Sequence, residues 1–340
     1  MRLGTFHLLG SPDMVPAEQR FDETIEQIVL AEELGFDSIW VAEHHFSNYG
    51  YSANPLLLIA KASALTSRVR FSQGVIVSPL WHPLRLAEDI AITDALTHGR
   101  LEVGLGRGYQ PMEFRGFEAD LERTRVQFAE QVDLIRKAWT ESDFTFEGQF
   151  YHLPDPITVL PKPVQQPHPP LWVAVQSDAS LEWAATHDCD ALVSGSSASW
   201  QQLGVWSERL RSDLHRPGLR LAMMRHAYVT ETEAEARAAG WQSKWQRACA
   251  EVLRLDKQKI TAGRNDVSGH QSSVPEDEWW DRVLYGSPER VIAQLRRQEA
   301  LGVTDAVLWF DIGGVPAKQI MQSMRLFARE VMPALSMAPA

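Results

Sequence analysis

The chain has 340 residues, 44% hydrophobic and 23% charged, with 33 Lys and Arg against 44 Asp and Glu, a formal net charge of −11. That composition is globular with ample core material, and the acidic balance argues against nucleic acid or an anionic membrane surface as partner. Two distant cysteines, Cys189 and Cys249, and the lack of an apolar run near the roughly 18 residues of a membrane span exclude a disulfide framework, a cysteine zinc site and a transmembrane helix.

Met1-Arg2-Leu3-Gly4 starts directly on a strand-like pattern without a signal peptide, which with the cysteine usage points to the cytoplasm. Phe21, Ile25, Ile28 and Val29 then have helical spacing, the helix stops at Gly35, and Asp37-Ser38-Ile39-Trp40-Val41 follows as a buried strand. The same grammar returns at Ala184 to Val193 and at Glu299 to Phe310. Strands are expected at 2–9, 37–42, 69–77, 101–106, 171–176, 190–194, 220–229 and 305–310. Helices are expected near 17–34, 54–66, 83–98, 119–140, 179–187, 199–215, 231–250, 287–301 and 316–332. Eight strands, each followed by a helix, predict an α/β fold, a (β/α)8 TIM barrel, in preference to an open doubly wound sheet. Residues 1–340 read as one domain.

Two stretches break the rhythm. Residues 143–170 read as a surface hairpin around Glu147-Gly148 with a stiff, Pro-rich return to the fifth strand. Residues 254–278 are polar and Gly-containing, either a mobile lid or a disordered insertion.

Active sites of such barrels lie at the C-terminal ends of the strands. There the chain places Glu43-His44-His45 after strand two, Gly104-Leu105-Gly106-Arg107-Gly108 after strand four, and Gln176-Ser177-Asp178-Ala179-Ser180 after strand five. Adjacent histidines on a strand face opposite ways and no H-x-H spacing occurs, so no metal site is expected. One histidine facing the mouth would serve as a general base or donor; the alternative is a pair capping the strand. The glycine run fails the dinucleotide fingerprint at Tyr109 and follows the wrong strand. It would let a backbone approach a flat ligand with Arg107 on a phosphate, or simply form a tight turn. Ser177 and Ser180 would hold a phosphate at a helix N-terminus, or only cap that helix.

Leu34 to Phe46 (Leu-Gly-Phe-Asp-Ser-Ile-Trp-Val-Ala-Glu-His-His-Phe), His82 to Asp89, Gly99 to Gly108 and the Pro161-Lys162-Pro163 approach to strand five resemble the bacterial luciferase family of flavin-dependent monooxygenases, nearly end to end. The resemblance implies a dimeric TIM barrel binding reduced FMN or, in one branch, the deazaflavin F420. It implies His44 as the catalytic histidine and His45 as its neighbour. Arg107, Ser177 and Ser180, with Gln176 at the start of their loop, would contact the phosphate. Glu43 would lie beside the flavin, and Gly74-Val75 would form a non-prolyl cis peptide beneath the ring. Gly106 stands where luciferase has a reactive cysteine, and Gln176 where it has Glu.

The activity implied is oxygenation by reduced FMN and O2, through a C4a-hydroperoxyflavin, with a separate reductase supplying the flavin. The expected substrate is a small apolar aldehyde, ketone, terpenoid or natural-product intermediate. An apolar mouth rich in tryptophan, with a closing loop, would keep water from the oxygenated cofactor. The alternatives are F420-dependent hydride transfer on the same barrel and a noncatalytic flavin-binding partner subunit, the latter disfavoured by His44.

Overall fold

In the computed structural model, which describes residues 1–195, 198–212 and 218–336, the helix–turn–strand unit repeats, and several of its turns share one backbone solution. Strand β1 (Arg2–His7) leads to α1 (Ala17–Leu34), which closes on Gly35 at φ +95° before β2 (Ser38–Val41). Glycine has no Cβ to clash in that left-handed region. Asp188 (φ +55°) and Gly302 (φ +82°) adopt the same region before two later barrel strands.

Next come α2 (Pro55–Ser63), β3 (Arg70–Gln73), β4 (Ile76–Val77), α3 (Pro83–Leu96), β5 (Val103–Gly106), α4 (Pro111–Gly116) and α5 (Thr124–Thr140). The antiparallel pair β6 (Phe144–Glu147) and β7 (His152–Ile157) precedes β8 (Leu171–Val175), α6 (Asp178–Thr186), β9 (Asp190–Ser194), α7 (Trp200–Ser212) and β10 (Leu221–Val229). Then follow α8 (Glu233–Ala238), α9 (Trp241–Arg254), the hairpin β11 (Lys259–Thr261) and β12 (Arg264–Asp266), α10 (Glu276–Arg282) and β13 (Leu284–Gly286). The chain continues through α11 (Pro288–Ala300), β14 (Asp305–Asp311) and α12 (Ala317–Leu326), then a π-helical turn, Phe327–Val331, and α13 (Met332–Ser336).

Parallel pairing runs β3-β2-β1-β14-β10-β9-β8-β5-β4. Strands β3 and β4 are halves of one interrupted strand, and Phe71 bridges to Leu101, so the sheet closes as the expected barrel. The lower barrel is plugged by Trp40 and Trp172, edge to face at 5.1 Å. Beneath them Glu102 accepts from Trp172 Nε1 (2.7 Å), Arg70 Nε (2.6 Å) and Arg220 Nη2 (2.7 Å).

The departures from the sequence reading are local. The expected strand 69–77 breaks at Gly74-Val75, which is a cis peptide. The buried Gln73 side chain accepts from Gly104 N (3.0 Å), supplying a rung where the ladder is interrupted. The helix expected at 231–250 is two helices, divided at Ala239-Gly240. The start expected at 119 moves to 124, because α4 occupies the preceding segment. Strand β13 escaped notice because three residues carry no readable period; it pairs with β10. Residues 213–215 of the expected sixth helix, and the chain end at 337–340, lie outside the described residues.

Within 254–278 the polar sequence folds into the β11–β12 hairpin. Its polar groups find partners on the barrel loops. Asn48 N donates to Gly263 O (2.7 Å), Asn265 N donates to Asn48 Oδ1 (2.9 Å), and Arg264 Nη1 donates to Pro12 O (3.0 Å). Arg115 on α4 grips Asp256 with both guanidinium nitrogens, at 2.7 and 2.8 Å. Among the described residues no helix is long and apolar enough to cross a membrane.

Candidate active site

The C-terminal ends of the barrel strands open into a cavity of about 420 Å³. Its apolar lining includes Phe6, Leu8, Val75, Leu192, Met224 and Trp309, carried by the strands and their first loop residues. Helix α9 supplies a polar wall: Gln246, Arg247, Ala250, Glu251 and Arg254 recur at helical spacing and all line the cavity.

His44 lines this cavity with its side chain 11% exposed. Its Nδ1 lies 2.9 Å from Glu113 Oε1 and 2.9 Å from the Gln110 amide. The Glu113 carboxylate only accepts and the Gln110 amide nitrogen only donates, so the two compete for Nδ1; the charged partner is the stronger, which assigns the ring hydrogen to Nδ1 and leaves Nε2 to act as the basic nitrogen. Glu113 is fully buried on α4, and the same oxygen accepts from His45 N (2.9 Å), which fixes the loop that presents His44. Tyr49 and Tyr109 flank the imidazole, with ring centroids 4.8 and 5.7 Å away. Burial pushes the Tyr49 hydroxyl well above its ordinary pKa, so it stays a neutral phenol.

His45 does not line the cavity. Its Nε2 lies 2.9 Å from Glu43 Oε1, and its ring packs against Phe117 at 4.7 Å. Glu43 does line the cavity, and it is tied down from several sides: it accepts from Val77 N (2.9 Å) and Trp81 Nε1 (3.0 Å) besides His45.

Gly74 and Val75 lie in the lining beside Gly106. A Cβ on Gly106 would fall 2.3 Å from Val75 Cγ2, so the valine fills the space a side chain there would need. Between the cavity and α6 sits a smaller recess of about 90 Å³, lined among others by Arg107, Arg125, Ser177, Ser180 and Trp183. Ser177 is the N-cap of α6, and the two serines form a reciprocal capping box. Ser180 Oγ also accepts from Gln176 N (3.0 Å). Gln176 itself lines the main cavity. Burial, and then the charge of the neighbouring Arg125, lowers the pKa of Arg107. A helix N-terminus, two hydroxyls and two guanidiniums around a recess of this size fit a phosphate monoester.

The sequence reading missed Arg125, Glu113 and His226. Arg125 and Glu113 lie on helices whose function the sequence does not advertise. His226 had a readable signal, because it stands near the C-terminal end of β10 in the inward-facing alternation with Met224. Its Nδ1 lies 2.8 Å from Ser243 Oγ, and it packs edge-on against Trp309 at 4.4 Å. Burial, and then Arg247, pushes its pKa down to about 3, so it is a neutral polar group in the wall. Among the described residues no three His, Cys, Asp or Glu side chains converge as metal ligands.

A family model described as luciferase-like monooxygenase matches residues 1–305. The oxygenase component of a flavin-dependent trigonelline monooxygenase from Acinetobacter baylyi is 30% identical, over 99% of this chain and 96% of its own. The alkanal monooxygenase alpha chain of Photorhabdus luminescens is 25% identical over 98% of this chain and 97% of its own. The crystal structure of monooxygenase RslO1 from Streptomyces bottropensis superposes with a TM-score of 0.86 at 30% identity, covering 98% of this chain and 100% of that one.

Proposed function

The chain belongs to the luciferase-like monooxygenase family, and from that premise we propose that it binds reduced FMN from a separate reductase and oxygenates a small organic substrate in the cavity beside His44. The observation that carries this reading is the recess in which Arg107 and Arg125 meet the N-terminus of α6, open to the same lining as His44. Bound reduced FMN would supply the two electrons that let O2 give one atom to the substrate and the other to water.

The residues divide the work. Arg107, Arg125, Ser177 and Ser180 hold the phosphate, with Gln176 at the edge of the loop. Gly74, Val75 and Gly106 offer a surface without protruding polar groups for a flat ring. His44 takes or gives a proton at Nε2, and Glu113 holds its tautomer. Glu43, with both oxygens occupied by donors, orients the ring edge. His45 fixes Glu43 and acts through it. Trp279, Trp309 and the segment after α9 exclude water from the reacting atoms.

The apolar part of the substrate lies against Leu192, Met224 and Trp309. A reductase partner is supported by the oxygenase-component name of the relative in Acinetobacter baylyi. A homodimer is supported by Leu57, Ile92 and Leu96, exposed on the adjoining helices α2 and α3. A cytoplasmic location is supported by two buried free thiols, Cys189 and Cys249.

Titrating FMN, riboflavin and F420 separately against tryptophan fluorescence tests the cofactor. FMN should quench at the lowest concentration, with riboflavin weaker for want of the phosphate. Tighter binding of F420 than of FMN would replace oxygenation by hydride transfer on the same barrel.

A further inference from the structure

Granted the flavin-dependent reading of the cavity, we propose that the substrate is a small carboxylate with an apolar body and that Arg254 binds its anionic group, with benzoate as the probe of that class.

Most charged side chains in the lining already have a partner. Glu43 accepts from His45 and Trp81, and Glu113 is bound to His44. Glu251 accepts from Arg247 Nε (3.1 Å) and His270 Nε2 (2.8 Å), and Arg282 pairs with Glu278. Two lining arginines have no carboxylate within ion-pair distance among the described residues, Arg107 and Arg254. Arg107 faces the phosphate recess, which leaves Arg254 as a cation at the rim with no assigned anion.

Arg254 ends α9, and its guanidinium carbon lies 5.1 Å from the centroid of the Tyr109 ring. The same ring also contacts His44, with centroids 5.7 Å apart. One aromatic ring therefore touches both the cation and the proton-handling imidazole. A small molecule that puts its carboxylate on Arg254 brings its body to His44 without spanning the whole cavity. The body has apolar company in Trp309 and Leu192.

The test uses isothermal titration of the FMN-loaded protein with benzoate and with benzamide, a matched neutral partner. Benzoate should bind at least about tenfold more tightly, a preference that falls with added salt because Arg254 is at the rim. Arg254→Ala should abolish the preference and leave FMN affinity unchanged, and Arg254→Lys should retain part of it. Equal binding of benzamide, no binding of benzoate, or a preference that survives Arg254→Ala overturns the proposal. A loss of FMN affinity in Arg254→Ala as large as in Arg107→Ala also overturns it, by assigning Arg254 to the cofactor's anion. The titrations are repeated on flavin-free protein. Failure of FMN to bind, with the Arg254-dependent benzoate preference intact, removes the cofactor reading and keeps the carboxylate site.

Discussion

The Glu113 carboxylate lies 2.9 Å from Nδ1 of His44, although 69 residues separate them in the chain. Strand β2 brings His44 to the barrel mouth, and α4, placed just after β5, carries Glu113 to it. A general base needs both a fixed tautomer and a fixed ring plane, and this contact provides the two together. His44→Ala should keep the fold and bind FMN, lose product formation by about 10²–10⁴-fold, and release more hydrogen peroxide per flavin oxidised. Glu113→Gln should give the same uncoupling at about 10²-fold, with His44 still in place but misdirected. Melting temperature, flavin affinity and the ratio of product to peroxide are measured on one sample. Wild-type coupling in either well-folded variant would remove that residue from the proton path.

Arg107 and Arg125 repel one another unless an anion lies between them. Arg107→Ala should weaken FMN binding by roughly 10- to 150-fold, the cost of about 1.5–3 kcal/mol for a charged hydrogen bond, and leave riboflavin nearly unaffected. Arg125, more exposed, should show the same selectivity with a smaller loss. Equal losses for both flavins in Arg107→Ala would move it out of the phosphate site.

The barrel was legible because its grammar is local. Several helices close on, or just before, a residue at positive φ, and an apolar strand follows, as at Gly35 and Gly302. His44, Arg107 and Ser177 were legible because each sits just beyond a readable strand. Glu113 and Arg125 were not, since what distinguishes them is a neighbour from another element. Residues 254–278 read as a loop because β11 and β12 are three residues each and bond to Asn48 and Pro12, contacts that leave no periodic trace. The polar wall was hidden for a related reason. Helix α9 is amphipathic, and a polar face at helical spacing looks the same in sequence whether it meets solvent or a cavity.

The segment after α9 bears on access to the cavity. Ser273 and Val274 line it, while Ser268, Gly269 and Gln271 are exposed. A nonspecific protease should cut first between Ser268 and Pro275, and FMN plus benzoate should slow that cut. Arg115→Ala, which releases Asp256, should speed it with the melting temperature little changed. A first cut elsewhere, with this stretch resistant in the free protein, would deny it any role as a moving cover.

The closed end of the barrel holds a carboxylate whose ionisation contributes to stability. Burial alone would raise the Glu102 carboxyl, but hydrogen bonding and charge from Arg220, the Trp172 indole and Arg70 outweigh it and hold the carboxyl down to about 2. A carboxyl depressed in the folded state stabilises the fold above its unfolded pKa, here 4.5, and that contribution is lost as pH falls towards 2. The full span corresponds to about 3 kcal/mol, since each pKa unit is worth about 1.4 kcal/mol. Burial pushes Asp190 and Asp305, in the same cluster, the opposite way, so they take up protons before Glu102 does. Comparison with Glu102→Gln separates Glu102 from them, because both proteins keep the two aspartates. Denaturant unfolding at pH 7, 5.5, 4.5 and 3.5 should show wild type more stable by a constant margin down to about pH 4.5. Below that the margin should narrow by about 1 kcal/mol per pH unit. A margin unchanged at pH 3.5 would mean that Glu102 protonates no later in the folded barrel than in the unfolded chain.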